Sequence, residues 1–388
     1  MLWAVPLLLV LPLTNTSQVA GASSSFHELS RQAEAARAAD KLPEAIRLYR
    51  QAVKLRPTWS EGWWWLGSIY YEQDRFSEAQ AAFQRFVATS PKAEPAYAFL
   101  GLCEYETRQY DAARRHFSQW AMKGSPGTSE LIEVAFFHWA LLLTQEGKFP
   151  EALYLLDNAV KHQGPNPLLV EAMGLAWMEM KNLPEDYPVN EREMVWLVGT
   201  ASAFASKDNY PRAQEYAERL VSRYGQRPKV HYFRGMLYAF NKQQEGAEQE
   251  LRRELEISSN WVPAMIQLAI AQSSLRAQLD EAASYAAKAV SLEPNNPLAY
   301  YALGVVLMLQ GKNQQGAEEL ERAAKLKPGS ARVHFQLANA YRRLGRMKDF
   351  DREKALFEAL KDKQEVFASA EEKMMGPAES SESTEQPK

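Results

Sequence analysis

The residues of this chain best suited to chemistry are six histidines, one cysteine and two Gly-Lys pairs, and their spacing argues against catalysis. His27, His116, His138, His162, His231 and His334 never fall four apart, so no helix face offers the paired imidazoles of a zinc site. Cys103 stands alone, which excludes an intrachain disulfide and a thiolate cluster; beside Leu102 it reads as a small buried hydrophobe. A phosphate-cradling loop needs an earlier glycine at a set distance from the Gly-Lys step, and Gly147-Lys148 and Gly311-Lys312 both lack it. There is no G-x-S-x-G elbow and no calcium loop of alternating acids. With 45 Lys and Arg against 48 Asp and Glu, the net charge of −3 leaves no basic footprint for nucleic acid. The expectation is a protein that is not an enzyme and carries no metal or cofactor.

The elements around these residues begin with an unusual segment. Met1 to Leu13 reads MLWAVPLLLVLPL, too short for the roughly 20 apolar residues that cross a bilayer. Ala20-Gly21-Ala22 comes next as a small-residue cleavage pattern, so residues 1–22 read as a secretory signal cut before Ser23, although no Lys or Arg precedes the apolar run. No cysteine lies near that cut to carry lipid. The expected product is exported, periplasmic or secreted, with no integral membrane span after cleavage.

From there a 34-residue period runs through the chain. Trp63, Leu66, Gly67 and Tyr70 precede Ala79, Phe83 and Pro91; one period later stand Tyr97, Leu100, Gly101, Ala113 and Phe117. One period earlier are Ala45, Tyr49 and Pro57, and the pattern returns as Tyr300, Leu303, Gly304, Ala323 and Pro328. These residues resemble the tetratricopeptide repeat, W-x2-L-G-x2-Y followed by a small residue, an aromatic and a closing proline. The chain is thus similar to bacterial exported proteins of that family. The resemblance implies an all-α fold, a right-handed α-solenoid of about ten stacked helix pairs, with units beginning at Phe26, Ser60, Glu94, Glu133, Pro167, Met194, Pro228, Val262, Pro297 and Ala331. The fifth unit is short, because Leu183-Pro184-Glu185-Asp186-Tyr187-Pro188 breaks it where a second helix belongs. The expected organisation is a signal at 1–22, an N-terminal lobe at 23–182, an irregular or hinge segment at 183–193, a C-terminal lobe with a capping helix at 194–364, and a disordered acidic tail at 365–388. That tail has six Glu against two Lys and few large apolar residues, too little to offset its chain entropy.

In the family, the first helix of each unit lines a concave surface. The positions that face it here are Trp64, Tyr71, Phe137, Tyr232, Met236, Tyr301 and Phe335, with Asn339 and Arg342 as a polar end. Five of the ten fifth positions are aromatic, and an exposed apolar stripe marks a binding surface. The carboxylate clamp of heat-shock co-chaperones is not matched, since Ser30 and Glu34 stand where basic and amide residues belong. The expected function is a non-catalytic scaffold or adaptor that binds an apolar segment of another protein in its groove. The alternatives are a periplasmic cell-envelope assembly factor or the regulatory subunit of an enzyme. On this reading, alanine at Tyr232, Tyr301 and Phe335 removes partner capture and leaves the helices intact.

Overall fold

The computed structural model describes residues 16–90, 94–125, 127, 129–184 and 186–361, and among these residues there are nineteen α-helices and no strand. They form successive antiparallel pairs: α1 (Thr16–Ala38) with α2 (Leu42–Leu55), α3 (Ser60–Glu72) with α4 (Phe76–Thr89), and α5 (Glu94–Glu106) with α6 (Tyr110–Met122). Next come α7 (Ser129–Glu146), α8 (Phe149–Gln163), the lone α9 (Pro167–Trp177), and α10 (Arg192–Ser206) with α11 (Tyr210–Tyr224). The remaining pairs are α12 (Val230–Phe240) with α13 (Gln244–Ile257), α14 (Val262–Leu275) with α15 (Leu279–Leu292), α16 (Pro297–Leu309) with α17 (Asn313–Leu326), and α18 (Ala331–Arg343) with α19 (Met347–Lys361). The chain is an all-α solenoid by architecture, built as two compact units, residues 1–135 and 136–388.

The two helices of a pair differ in sequence because they differ in surroundings. α2 buries Ala45, Ile46, Tyr49, Ala52 and Val53, a single stripe at helical spacing, and leaves its other face to water. α16, PLAYYALGVVLML, is apolar on every side and buries seven of its residues, since it is packed from more than one direction. Proline at the first turn opens α2, α8, α9, α11, α14 and α16, where the missing N–H has no partner to lose.

The first helices also stop in one way. A residue with positive φ comes after each of them: Asp40, Asp74, Arg108, Gly147, Glu179, Asp208, Lys242, Arg276, Gly311 and Gly345. The next amide reaches back to the last turn, as Arg75 N–H donates to the Tyr70 carbonyl and Lys312 N–H to that of Leu307, each at 2.9 Å. This left-handed closure satisfies carbonyls that the helix end would leave unpaired. It repeats at close to the sequence period, and it is present in the fifth unit even though no second helix comes after it.

What fills the fifth unit is the irregular stretch itself. Leu183 and Tyr187 are buried, and Tyr187 packs with Leu175 and Val195 while its hydroxyl donates to the Glu171 carboxylate at 2.5 Å. A 3-10 turn, Val189–Glu191, then leads into α10. α9 and α10 cross with their backbones touching: a Cβ on Gly174 would overlap the carbonyl oxygen of Val195, and one on Gly199 that of Val170. The sequence suggests two lobes parted at 183–193. The structure instead places that stretch inside the second unit, where the α9–α10 crossing ties its two flanks together, and the boundary between units falls within α7. Of the expected signal segment, residues 1–15 lie outside the described residues and 16–22 belong to α1; the expected acidic tail also lies outside them.

The crossing yields a test. Gly199→Ala forces backbone apart and should cost roughly 1–3 kcal/mol, read as a lowered melting temperature. Gly329→Ala, in open space with an ordinary φ, should stay within about 0.5 kcal/mol of the parent.

Candidate functional site

The second unit encloses a cavity of about 570 Å3. Its floor is Met173 and Trp177 of α9 with Met236 of α12, all nearly closed to solvent. Phe240 and Ile270 are half-buried at its mouth, where Ser274 is exposed. Lys242 and Arg332 bring cations to the lining, and Asp157 and Asp208 bring carboxylates, with Asp157 held by Lys161 at 2.9 Å. A mainly apolar concavity with a few polar groups is how proteins hold small apolar bodies.

Each wall is locked by its own contacts. The Trp177 indole N–H donates to Ser202 Oγ at 2.8 Å, and its ring meets Phe233 edge to face at 5.2 Å. That bond occupies Ser202, and Ser206 donates back to the Ser202 carbonyl, so neither hydroxyl is set beside a base as a nucleophile would be. Burial, with Asp208 and Asp157 nearby, pushes the Tyr210 hydroxyl above the ordinary tyrosine range. It therefore stays protonated near neutral pH. α14 is fixed by a polar network beneath it, in which Arg252 of α13 donates to Glu281 of α15 at 2.7 Å and to Glu248 at 3.1 Å. Gln272, fully buried, donates to Glu281 at 2.8 Å.

The nine residues expected to face an open groove divide. Met236 does line the cavity, as part of its closed floor. Tyr232 and Tyr301 are 6% and 5% exposed and belong to the packing. Tyr232 sits edge to face on Trp261 at 4.5 Å, and burial beside Glu179 and Glu254 pushes its hydroxyl above its ordinary range. Tyr301 packs in the core formed with Leu320, Leu337 and Tyr341. In the first unit, Trp64 and Tyr71 both lie against Phe99, at 5.6 and 5.2 Å, so these rings are half-buried in an aromatic cluster. Burial raises the Tyr71 hydroxyl to about 12. Phe137 is half-buried against His138, Phe335 leans on Phe357 at 5.3 Å, Asn339 is half-buried and Arg342 is exposed. Position in the repeat says which helix each of these residues stands on; the neighbours above decide how far each is covered.

Three histidines that look incidental in the sequence are held by glutamates: His116 by Glu104 at 2.6 Å, His231 by Glu250 at 2.6 Å and His334 by Glu353 at 2.7 Å. In the second and third of these pairs the spacing is nineteen, which could have been read from the sequence. Glu254, fully buried, accepts the backbone N–H of Lys229 and Tyr232 and so closes the start of α12. Cys103 is buried and its thiol is pushed up to about 12, as an unreactive core residue. Among the described residues no cluster of three ligating side chains could hold a metal, and no helix is long and apolar enough to cross a membrane.

A profile of the tetratricopeptide repeat matches residues 30–94, 66–127, 199–260, 276–330 and 306–350. By structure the chain is similar to MamA residues 41 to the end from Desulfovibrio magneticus RS-1, at 17% identity and a TM-score of 0.40, over 45% of this chain and 97% of that one. It is also similar to a tetratricopeptide repeat protein from Parabacteroides merdae, at 16% identity and a TM-score of 0.40, over 73% of this chain and 99% of that one. No curated protein matches the sequence.

Two variants probe this geometry. Tyr232→Ala should destabilise the fold by roughly 3–5 kcal/mol, as deletion of a buried ring does, where a surface role would leave the melting temperature unchanged. The Arg252 hydrogen bond, helped by Gln272, holds the Glu281 carboxyl below the usual range. A depressed carboxyl adds stability above its unfolded pKa and loses it as pH falls through the folded one. Arg252→Met should therefore flatten the acid-side fall in melting temperature between about pH 5 and pH 3.

Proposed function

Since the chain belongs to the tetratricopeptide repeat family, we propose that it is an exported, non-catalytic scaffold that takes an apolar segment of another protein into the second unit's groove. The family's repeats are protein-interaction modules, and their helices here are spent on packing, with no reactive group left at the site. The observation that carries the reading is the cavity between α8, α9, α10, α12 and α14, with Met173, Trp177 and Met236 as an apolar floor and cations at its edge. Such a pocket suits a few large side chains of a helical or extended ligand. The export half rests on the apolar run and Ala20-Gly21-Ala22.

Affinity capture from the producing cell's envelope, compared across variants, tests the binding half. Ile270→Glu places a charge at the groove's mouth and should cost about 2 kcal/mol or more, roughly a thirtyfold loss of a recurrent partner. Trp196→Ser, at an exposed ring outside the cavity lining, should capture as the parent does. Equal capture by Ile270→Glu contradicts the groove. Sequencing the mature N-terminus checks export, with Ser23 expected first and an intact Met1 contradicting it.

A further inference from the structure

We infer that the groove of the second unit reads charge order: the apolar segment it takes carries a basic residue at the α10 end, against Asp208, and an acidic residue at the α12 and α14 end, against Lys242. This rests on the groove reading above and names the chemistry of its partner. Ser202, Met236 and Ile270 hold one repeat position of α10, α12 and α14, and Ser206, Phe240 and Ser274 hold the position four residues on. All six line the cavity. The groove therefore runs across the last turns of three successive first helices, and a segment lying in it passes their ends in order.

Two residues further on comes the left-handed position, filled in turn by Asp208, Lys242 and Arg276 at φ 56°, 59° and 50°. Asp208 and Lys242 line the cavity themselves, and Arg276 follows Ser274 of the lining by two residues. All three are exposed, and among the described residues none is in an ion pair. A cation suits the carbonyl end of a helix, so Lys242 and Arg276 complement α12 and α14. Asp208 has the opposite sign and adds its charge to that of the last carbonyls of α10.

The other charges at the α10 end are already engaged. Lys161 holds Asp157 at 2.9 Å, and the Lys207 ammonium donates to the Lys161 carbonyl at 2.8 Å. Burial, then Asp208 and Asp157, push the Tyr210 hydroxyl above its ordinary range against the opposing Lys161, so the negative charge is felt within the lining. A partner's ammonium or guanidinium at Asp208 and its carboxylate at Lys242 and Arg276 complement both ends. With neighbouring helix axes about 10 Å apart, the two ends lie about 20 Å from each other, the length of about thirteen helical residues.

Isothermal titration calorimetry on the full chain, with four synthetic thirteen-residue peptides blocked at both termini, tests this. The peptides share a centre of Leu and Met and carry at their two ends Lys and Glu, Lys and Lys, Glu and Glu, or Gln and Gln. The parent should bind the Lys/Glu peptide about fivefold more tightly than the others, as exposed ion pairs allow, and about 1 M salt should erase the difference. Asp208→Lys should move the preference to the Glu/Glu peptide, and Lys242→Asp with Arg276→Asp to the Lys/Lys peptide. These exchanges suit the backbone, since Asp208 and Lys242 already share it. Equal affinity of the parent for all four peptides, binding of none, or variants that keep the parent's preference overturns the proposal. The groove reading fails separately, by binding that Ile270→Glu leaves unchanged.

Discussion

Two helices can touch backbone to backbone only where neither carries a side chain at the crossing, and the rest of this structure depends on that condition. It recurs between α16 and α17, where a Cβ on Gly304 would meet the Gly316 carbonyl oxygen and one on Gly316 that of Gly304. It is most severe at α9 and α10, where Gly174 and Gly199 each face a carbonyl oxygen. Because no single pair buries its apolar face alone, each close crossing commits the next helix to stack upon it. The groove exists because that stacking is interrupted once. α9 has no second helix of its own, so α10 closes directly against it, and the walls of the cavity are set by that substitution.

The irregular stretch after α9 is therefore structural in the same sense as a helix. Leu183 and Tyr187 supply the apolar surface that a second helix would have given, and the Tyr187–Glu171 bond anchors it. Trp177, the last residue of α9, faces the cavity and is oriented by Ser202 from α10. The same anomaly thus removes one helix and positions the largest apolar side chain of the groove floor.

Much of the architecture was legible in the sequence because the period of 34 reflects a repeated physical need: a small residue at each crossing and a break after each second helix. Even the missing helix announced itself through Pro184 and Pro188. The site was less legible. Position counting says which face of a helix a residue occupies, but burial depends on what the neighbouring helix sends back. Tyr232 meets Trp261 and Tyr301 enters the core with Leu337 and Tyr341, and no spacing rule foretells those partners. Met236, which that rule names, lines the cavity, and so does Trp177, which the rule does not reach because it lies in the repeat whose pattern fails. The left-handed residues after the first helices also escaped notice, since Asp, Arg, Lys, Glu and Gly all serve there and leave no single letter to track.

The central claim is that the second unit's cavity receives a polypeptide partner. Methyl resonances of the side chains concerned report on it most directly. On titration with the captured partner, the methyl signals of Met173, Met236 and Ile270 should shift together, while those of Met122 and Met347, exposed elsewhere at 77% and 52%, stay in place. Shifts confined to Met122 or Met347, with the cavity methyls unmoved at saturation, would contradict the account.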